Sequence, residues 1–182
     1  MQFETKHLLL RPWTEADAED LYLYASDPDI GPIAGWPAHR SVEESRISIR
    51  KFFSVRPHAY AVCLKSDNRP IGAIELKMGE HTDLTEKDDE CELGYWIGKP
   101  FWGQGLIPEA ARVMLHFAFE DLGMTKVFCA YYDGNEKSKR VQEKLGFTHQ
   151  WTTEGIELPL LNEVRTGHVN AMTKAEWLGL IA

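Results

Sequence analysis

A strand that runs into a glycine-bearing turn, and then into a helix, is a place where backbone alone can hold an anion. Residues 92–110 have that order: Glu92-Leu93-Gly94-Tyr95-Trp96-Ile97-Gly98-Lys99-Pro100-Phe101-Trp102-Gly103-Gln104-Gly105-Leu106-Ile107-Pro108-Glu109-Ala110. The first amide N–H groups of a helix have no partner within it and lie at the positive end of its dipole. Glycines just before them let a ligand approach the backbone closely. Together they make a diphosphate cradle that needs no basic side chain. A Walker A loop would need Gly-Lys-Ser/Thr where this chain has Gly105-Leu106-Ile107. A dinucleotide fingerprint would need a third glycine at Pro108 and an N-terminal βαβ placement. Neither fits. A plain strand-to-helix connection, with the glycines serving geometry alone, would use the same residues.

A second block narrows the choice. Asp133-Gly134-Asn135-Glu136-Lys137-Ser138 follows the next strand and opens the next helix, which runs through Lys144-Leu145-Gly146-Phe147. With Leu10-Arg11-Pro12, Glu92 to Ile97, Phe101-Trp102-Gly103-Gln104-Gly105 and Glu109-Ala110, this order resembles the GNAT superfamily of acetyltransferases. It looks closest to the RimJ/RimL-like branch, which acetylates the N-termini of ribosomal proteins. The resemblance spans almost the whole chain.

It implies acetyl-CoA as acetyl donor and an amine as acceptor, either a protein N-terminus or a small molecule. The pyrophosphate would sit on the backbone of Trp102, Gly103, Gln104, Gly105, Leu106 and Ile107. The pantetheine arm would pair with the strand at Tyr95, Trp96 and Ile97, and Asn135 would hydrogen-bond it. Ser138 would lie near the thioester sulfur, and Glu92 would act as general base through water. Trp36 and His39, between the first two helices, would border the acceptor. The resemblance implies no metal. Two positions depart from the pattern. The Gln or Arg three residues before the first motif glycine is Pro100, and the tyrosine often found seven residues after the asparagine is Gln142.

The chemistry is direct attack of a neutral amine on the thioester carbonyl. At pH 7 roughly a tenth of free α-amines are neutral, against under about one in a thousand lysine side chains. An α-amine is the easier acceptor, and a base makes up the remainder. A backbone N–H near Trp96 or Ile97 would meet the oxyanion. A non-catalytic acyl-CoA-binding sensor is the reading from outside the class. Taken alone, Glu92 is equally a solvated strand residue, Ser138 a first-turn cap, and Trp36 a residue packed under its own loop.

These residues need a scaffold, and the hydrophobic pattern supplies one. Residues 3–11 read as a strand, and Thr14-Glu15-Ala16-Asp17 as a capping box opening a helix to Ser26 with Ala18, Leu21 and Ala25 inward. Prolines and glycines break structure over 27–39. Ser41-Val42-Glu43-Glu44 is a full capping box for a second helix bearing Ile47, Ile49 and Phe52. A hairpin of 58–65 and 71–78 precedes an acidic solvated loop, 79–90. Strand 91–98, a helix from the Gly-rich turn to Leu122, strand 126–132 and helix 135–145 form a strand–helix–strand–helix core. Segments 147–153 and 168–173 read as late strands and 174–180 as a closing helix. The whole predicts one α/β (α+β mixed) domain over 1–182. The GNAT resemblance adds a mostly antiparallel sheet, opened in a V between the strands at 91–98 and 126–132 and flanked by helices.

Composition agrees. The 182 residues carry 20 Lys+Arg against 28 Asp+Glu, a net charge of −8. That disfavours a nucleic-acid or anionic-membrane partner, which needs clustered positive charge. No apolar run suits a membrane span, and the N-terminus lacks the order of a signal peptide. Cys63, Cys91 and Cys129 are too scattered for a zinc site and read as small core residues. A cytoplasmic protein is expected. The oligomeric state stays open, a homodimer included.

Overall fold

A computed structural model describes all 182 residues. The chain begins with β1 (Phe3–Glu4) and β2 (Leu8–Pro12), antiparallel, with Phe3 opposite Leu10. The single strand expected over 3–11 is therefore a hairpin. Its turn is held from within by Thr5 N–H to the Leu8 carbonyl at 2.9 Å. It is held from outside by Glu109, whose Oε1 accepts from the His7 N–H at 2.8 Å and from the Thr5 hydroxyl. Glu109 Oε2 lies 2.8 Å from His7 Nδ1. The glutamate that follows the Gly-rich turn is thus a clamp on the N-terminal hairpin.

Asp17 closes the first helix start as the sequence suggests. Its Oδ2 accepts from the Thr14 N–H at 2.8 Å and the Thr14 hydroxyl at 2.9 Å. Arg11 binds the same carboxylate with two nitrogens, each at 2.8 Å. Burial pushes the Asp17 carboxyl up, but the bonds from Arg11 and Thr14 outweigh it and hold it below the usual range. We predict that Asp17→Ala destabilises the fold by about 3 kcal/mol at pH 7, the lower end for breaking a buried pair. A carboxyl depressed in the folded state stabilises it above the unfolded value, about pH 4, and that contribution fades as pH falls through the folded value. Denaturant titrations at pH 7 and pH 3 should show the gap between wild type and variant closing at the lower pH. An equal gap at both would contradict the assignment.

Helix α1 (Ala18–Ala25) buries Ala18, Leu21 and Ala25, and α2 (Gly31–Ala34) is a single turn in the segment expected to be irregular. In α3 (Val42–Ser48), Ser41 Oγ accepts from the Glu44 N–H, but the Glu44 carboxylate reaches the Arg40 N–H instead of closing a full box. The helix widens over 49–53, with the Ser54 N–H bonding to the Ile49 carbonyl. The inward face is Ser45 and Ile49, whereas Ile47 and Phe52 face solvent.

The remaining elements are β3 (Ala59–Leu64), β4 (Pro70–Lys77), β5 (Glu90–Ile97), α4 (Leu106–His116), β6 (Lys126–Tyr132), α5 (Glu136–Leu145), β7 (Thr148–Leu158), β8 (Glu163–Thr173) and α6 (Lys174–Ile181). They form one open, mostly antiparallel sheet ordered β1-β2-β3-β4-β5-β6-β8-β7. The β5–β6 ladder is parallel and covers Glu90–Lys126, Cys91–Val127 and Glu92–Phe128. Parallel neighbours need a crossover, which α4 supplies. The late strands are longer than expected: β7 and β8 form a hairpin that carries 154–158 and 163–167 as well. The segment 79–90 is not wholly solvated, since Glu90 is buried against Thr85 and Lys87.

Packing groups the chain into two compact units, 1–75 with 95–110, and 76–94 with 111–182. In the first, Trp13, Leu21, Ala25, Ile49, Ala61 and Ala73 form a core, with Trp36 and Trp96 against it. In the second, Phe128, Val169 and Ala171 pack with Leu84. All three cysteines are buried, and burial pushes the Cys63 and Cys91 thiols up to about 12, so they serve packing. No helix is long and apolar enough to cross a membrane.

Candidate active site

The Gly-rich turn is built to keep its backbone exposed. Gly103 and Gly105 have φ of +75° and +77°, and a Cβ built on either meets no atom within 4 Å. Left-handed backbone with open space in front is what a close-approaching anion requires. Local bonds hold the turn in shape. The Trp102 indole donates to the Ile97 carbonyl at 3.0 Å, and the Trp102 N–H to the Lys99 carbonyl at 3.2 Å. The Gln104 side chain folds back to the Pro100 carbonyl at 2.8 Å. Leu106 and Ile107 are buried and anchor the first turn of α4.

Trp36 reaches the strand that leads into this turn. Its ring packs edge-on against Trp96, with centroids 5.8 Å apart, and tilted against His39 at 5.7 Å. Gly31 lies beneath the indole, where a Cβ would fall 2.5 Å from Trp36 Cε3. The His39 N–H donates to the Ala25 carbonyl, and its Nδ1 lies 2.7 Å from the fully buried Ser45 Oγ. Burial pushes the His39 imidazole below its ordinary value, against the opposing pull of Glu44. Trp36, His39 and Trp96 are therefore gathered in one aromatic group.

In the second unit, Glu92 has both carboxylate oxygens engaged. Oε1 accepts from Lys77 Nζ and Oε2 from the Thr82 hydroxyl, each at 2.7 Å. Sequence reading named neither partner. Thr82 sits in a segment whose acidic composition gave no sign of burial, and Lys77 is a strand-end lysine like any other. Asn135 caps α5, its Oδ1 accepting the Ser138 N–H at 3.2 Å. Gln142 Nε2 donates to Ser138 Oγ at 3.1 Å. Asn135, Ser138 and Gln142 thus form one connected group.

These features have counterparts in known proteins. Residues 7–148 match the family described as "Acetyltransferase (GNAT) domain". The chain belongs to the GNAT acetyltransferase family. It is 26% identical over 144 residues to a Bacillus subtilis protein named "Uncharacterized N-acetyltransferase YoaA", covering 79% of this chain and 81% of that one. Over 68 residues it is 40% identical to a protein of the same organism named "Putative ribosomal N-acetyltransferase YdaF", a match to 37% of either chain. A GNAT acetyltransferase from Bacillus anthracis shares the fold at a TM-score of 0.83, with 22% identity over 97% of this chain and 100% of its own. The family's reaction is transfer of an acetyl group from acetyl-CoA to an amine, and this chain is an N-acetyltransferase.

An acetyl-CoA donor implies a thermal signature. At a hundredfold excess over Kd, bound ligand adds about 2.7 kcal/mol to stability. For a domain of this size that raises Tm by roughly 5–10 °C. A melting scan should show that rise with acetyl-CoA and none with NAD. Equal shifts would contradict a cradle that lacks the dinucleotide fingerprint.

Proposed function

We propose that this protein transfers the acetyl group of acetyl-CoA to a free α-amine, with a protein or peptide N-terminus as acceptor. The supporting observation is the layout of β5. The strand carries a hydrogen-bonded carboxylate at Glu92 and an aromatic group at Trp96, then enters the open-backbone turn at Gly103 and Gly105. Residues two and four apart on a strand face the same way. Glu92 and Trp96 therefore share a face, with Trp36 against the latter. The similarity to YdaF, a protein named for ribosomal N-acetylation, favours an N-terminal acceptor.

In this reading the amides from Gly103 to Ile107 receive the pyrophosphate, since the Trp102 N–H is already bonded to Lys99. Tyr95 to Ile97 offer strand edge to the pantetheine, and Asn135 a hydrogen bond. Acetyl-CoA supplies the activated acyl carbon. Glu92 takes the proton released by the attacking nitrogen, through a water on the lone pairs that Lys77 and Thr82 leave. A backbone N–H near Trp96 or Ile97 meets the carbonyl oxygen as it gains charge. The C–S bond breaks with its electron pair on sulfur, and Ser138 hydrogen-bonds that thiolate until it is protonated. Trp36 and His39 flank the incoming amine. Burial lowers the His39 imidazole, which disfavours a positive charge beside the incoming amine.

The test is a panel of acceptors under one assay of thiol release. Peptides with free N-termini should give the highest kcat/KM, and the same peptides N-terminally blocked should give none. If polyamines, amino sugars or free amino acids are preferred, the acceptor assignment falls. If no amine supports turnover while acetyl-CoA still binds, the protein is a sensor.

A further inference from the structure

Ser45 is fully buried on α3 and carries a hydroxyl that packing does not require. An alanine would fill a buried helix position with no polar atom to satisfy. A helical serine commonly returns its hydroxyl to the carbonyl four residues back. Here the Ser41 carbonyl takes the Ser45 N–H at 3.2 Å, and the Ser45 hydroxyl turns to the preceding loop, 2.7 Å from His39 Nδ1.

That contact fixes where the imidazole keeps its proton. A hydroxyl has one proton to donate, and a buried one left without an acceptor costs stability. The polar atom that Ser45 Oγ meets is His39 Nδ1, so the hydroxyl donates and Nδ1 accepts. A neutral imidazole that accepts at Nδ1 carries its N–H at Nε2. Burial disfavours the charged ring, against the opposing pull of Glu44. The bond from the His39 N–H to the Ala25 carbonyl, at 2.9 Å, holds the backbone while the serine holds the ring. Nε2 lies across the ring from Nδ1, so its N–H points away from Ser45. The ring is half-buried and packs beside Trp36, whose indole meets Trp96.

An N–H donor in that aromatic group suits a ligand with an acceptor atom. A peptide N-terminus has one in the carbonyl oxygen of its first residue, on the carbon next to the one that bears the α-amine. A polyamine offers ammonium groups, which only donate.

We propose that His39 is a specificity-determining residue that donates from Nε2 to the carbonyl of the acceptor's first residue, and that Ser45 is the positioning residue that sets its tautomer. The proposal rests on the acceptor reading above, in which His39 flanks the incoming amine. The carbonyl takes no part in bond making or breaking. The contact is therefore as strong in the bound peptide as in the transition state, and its loss should appear in KM and not in kcat.

Kinetics on the full chain test this, with a peptide bearing an N-terminal alanine and with isopropylamine, the same residue with a methyl in place of the carbonyl. His39→Leu should raise the peptide KM about tenfold, the size of one hydrogen bond, with kcat changed less than about threefold. His39→Gln, whose amide nitrogen reaches near the place of Nε2, should restore most of the loss. An unchanged peptide KM in His39→Leu, or a His39→Gln variant no better than it, overturns the proposal and leaves the acceptor reading standing. Wild type that prefers isopropylamine to the peptide overturns that reading, and the proposal with it. Nitrogen-15 NMR of the histidine-labelled protein checks the tautomer without any substrate, and serves if His39→Leu fails to fold. Wild type should show His39 protonated at Nε2 and bare at Nδ1, a preference lost in Ser45→Ala. The opposite tautomer in wild type, or one unmoved by Ser45→Ala, overturns the proposal whatever the acceptor.

Discussion

Glu92→Gln is expected to slow acetyl transfer roughly 10²–10⁴-fold near pH 7, the range for removing a general base. The variant should recover toward wild type as pH rises past about 8, where a free α-amine deprotonates unaided. The substitution keeps the hydrogen bonds of the site. Glutamine can still accept from Lys77 with its oxygen and donate to the Thr82 hydroxyl with its nitrogen, in the places Glu92 now fills. The loss is thus assigned to the carboxylate and not to a collapsed strand. Rate–pH profiles at saturating acetyl-CoA measure it. A deficit of the same size at every pH would make Glu92 an orienting charge, and no deficit would return it to a structural role.

The second large effect belongs to the cradle. Gly105→Val should weaken acetyl-CoA binding at least about 100-fold, equivalent to losing two charge-assisted hydrogen bonds to the phosphates. The valine methyls would occupy the space now open in front of the turn. A β-branched residue at a φ of +77° is also a conformational outlier, so the turn itself must shift. That strain, about 1–2 kcal/mol, lowers Tm by only a few degrees without ligand. Titration calorimetry on the folded variant measures the affinity. Wild-type affinity would place the phosphates elsewhere.

Much of this was legible in the sequence because local chemistry carried it. Strand 126–132, the start of α5 at Asn135 and its stop at Gly146, with φ of +93°, follow from patterning and cap residues alone. The same holds for Thr14 and Asp17. What stayed hidden depends on residues distant in sequence. The hairpin at 3–12 is held by Glu109, which no local pattern announces. The late strands ran past their expected ends because exposed hairpin arms need no apolar alternation, and β7 is exposed along most of its length. At the site, glycines in sequence marked the turn. The partners of Glu92 and the Asn170–Gln142 bond lay beyond reach, because each joins segments with no shared period.

The central claim, acetyl transfer to an α-amine, is met most directly by locating the product's acetyl group. A peptide bearing both a free N-terminus and an internal lysine would be incubated with acetyl-CoA and the protein, then sequenced by tandem mass spectrometry. We predict a single added acetyl group on the N-terminal nitrogen, absent with Glu92→Gln at pH 7 over the same interval. Acetylation of the lysine side chain, or none of the peptide while a small amine is turned over, would contradict it.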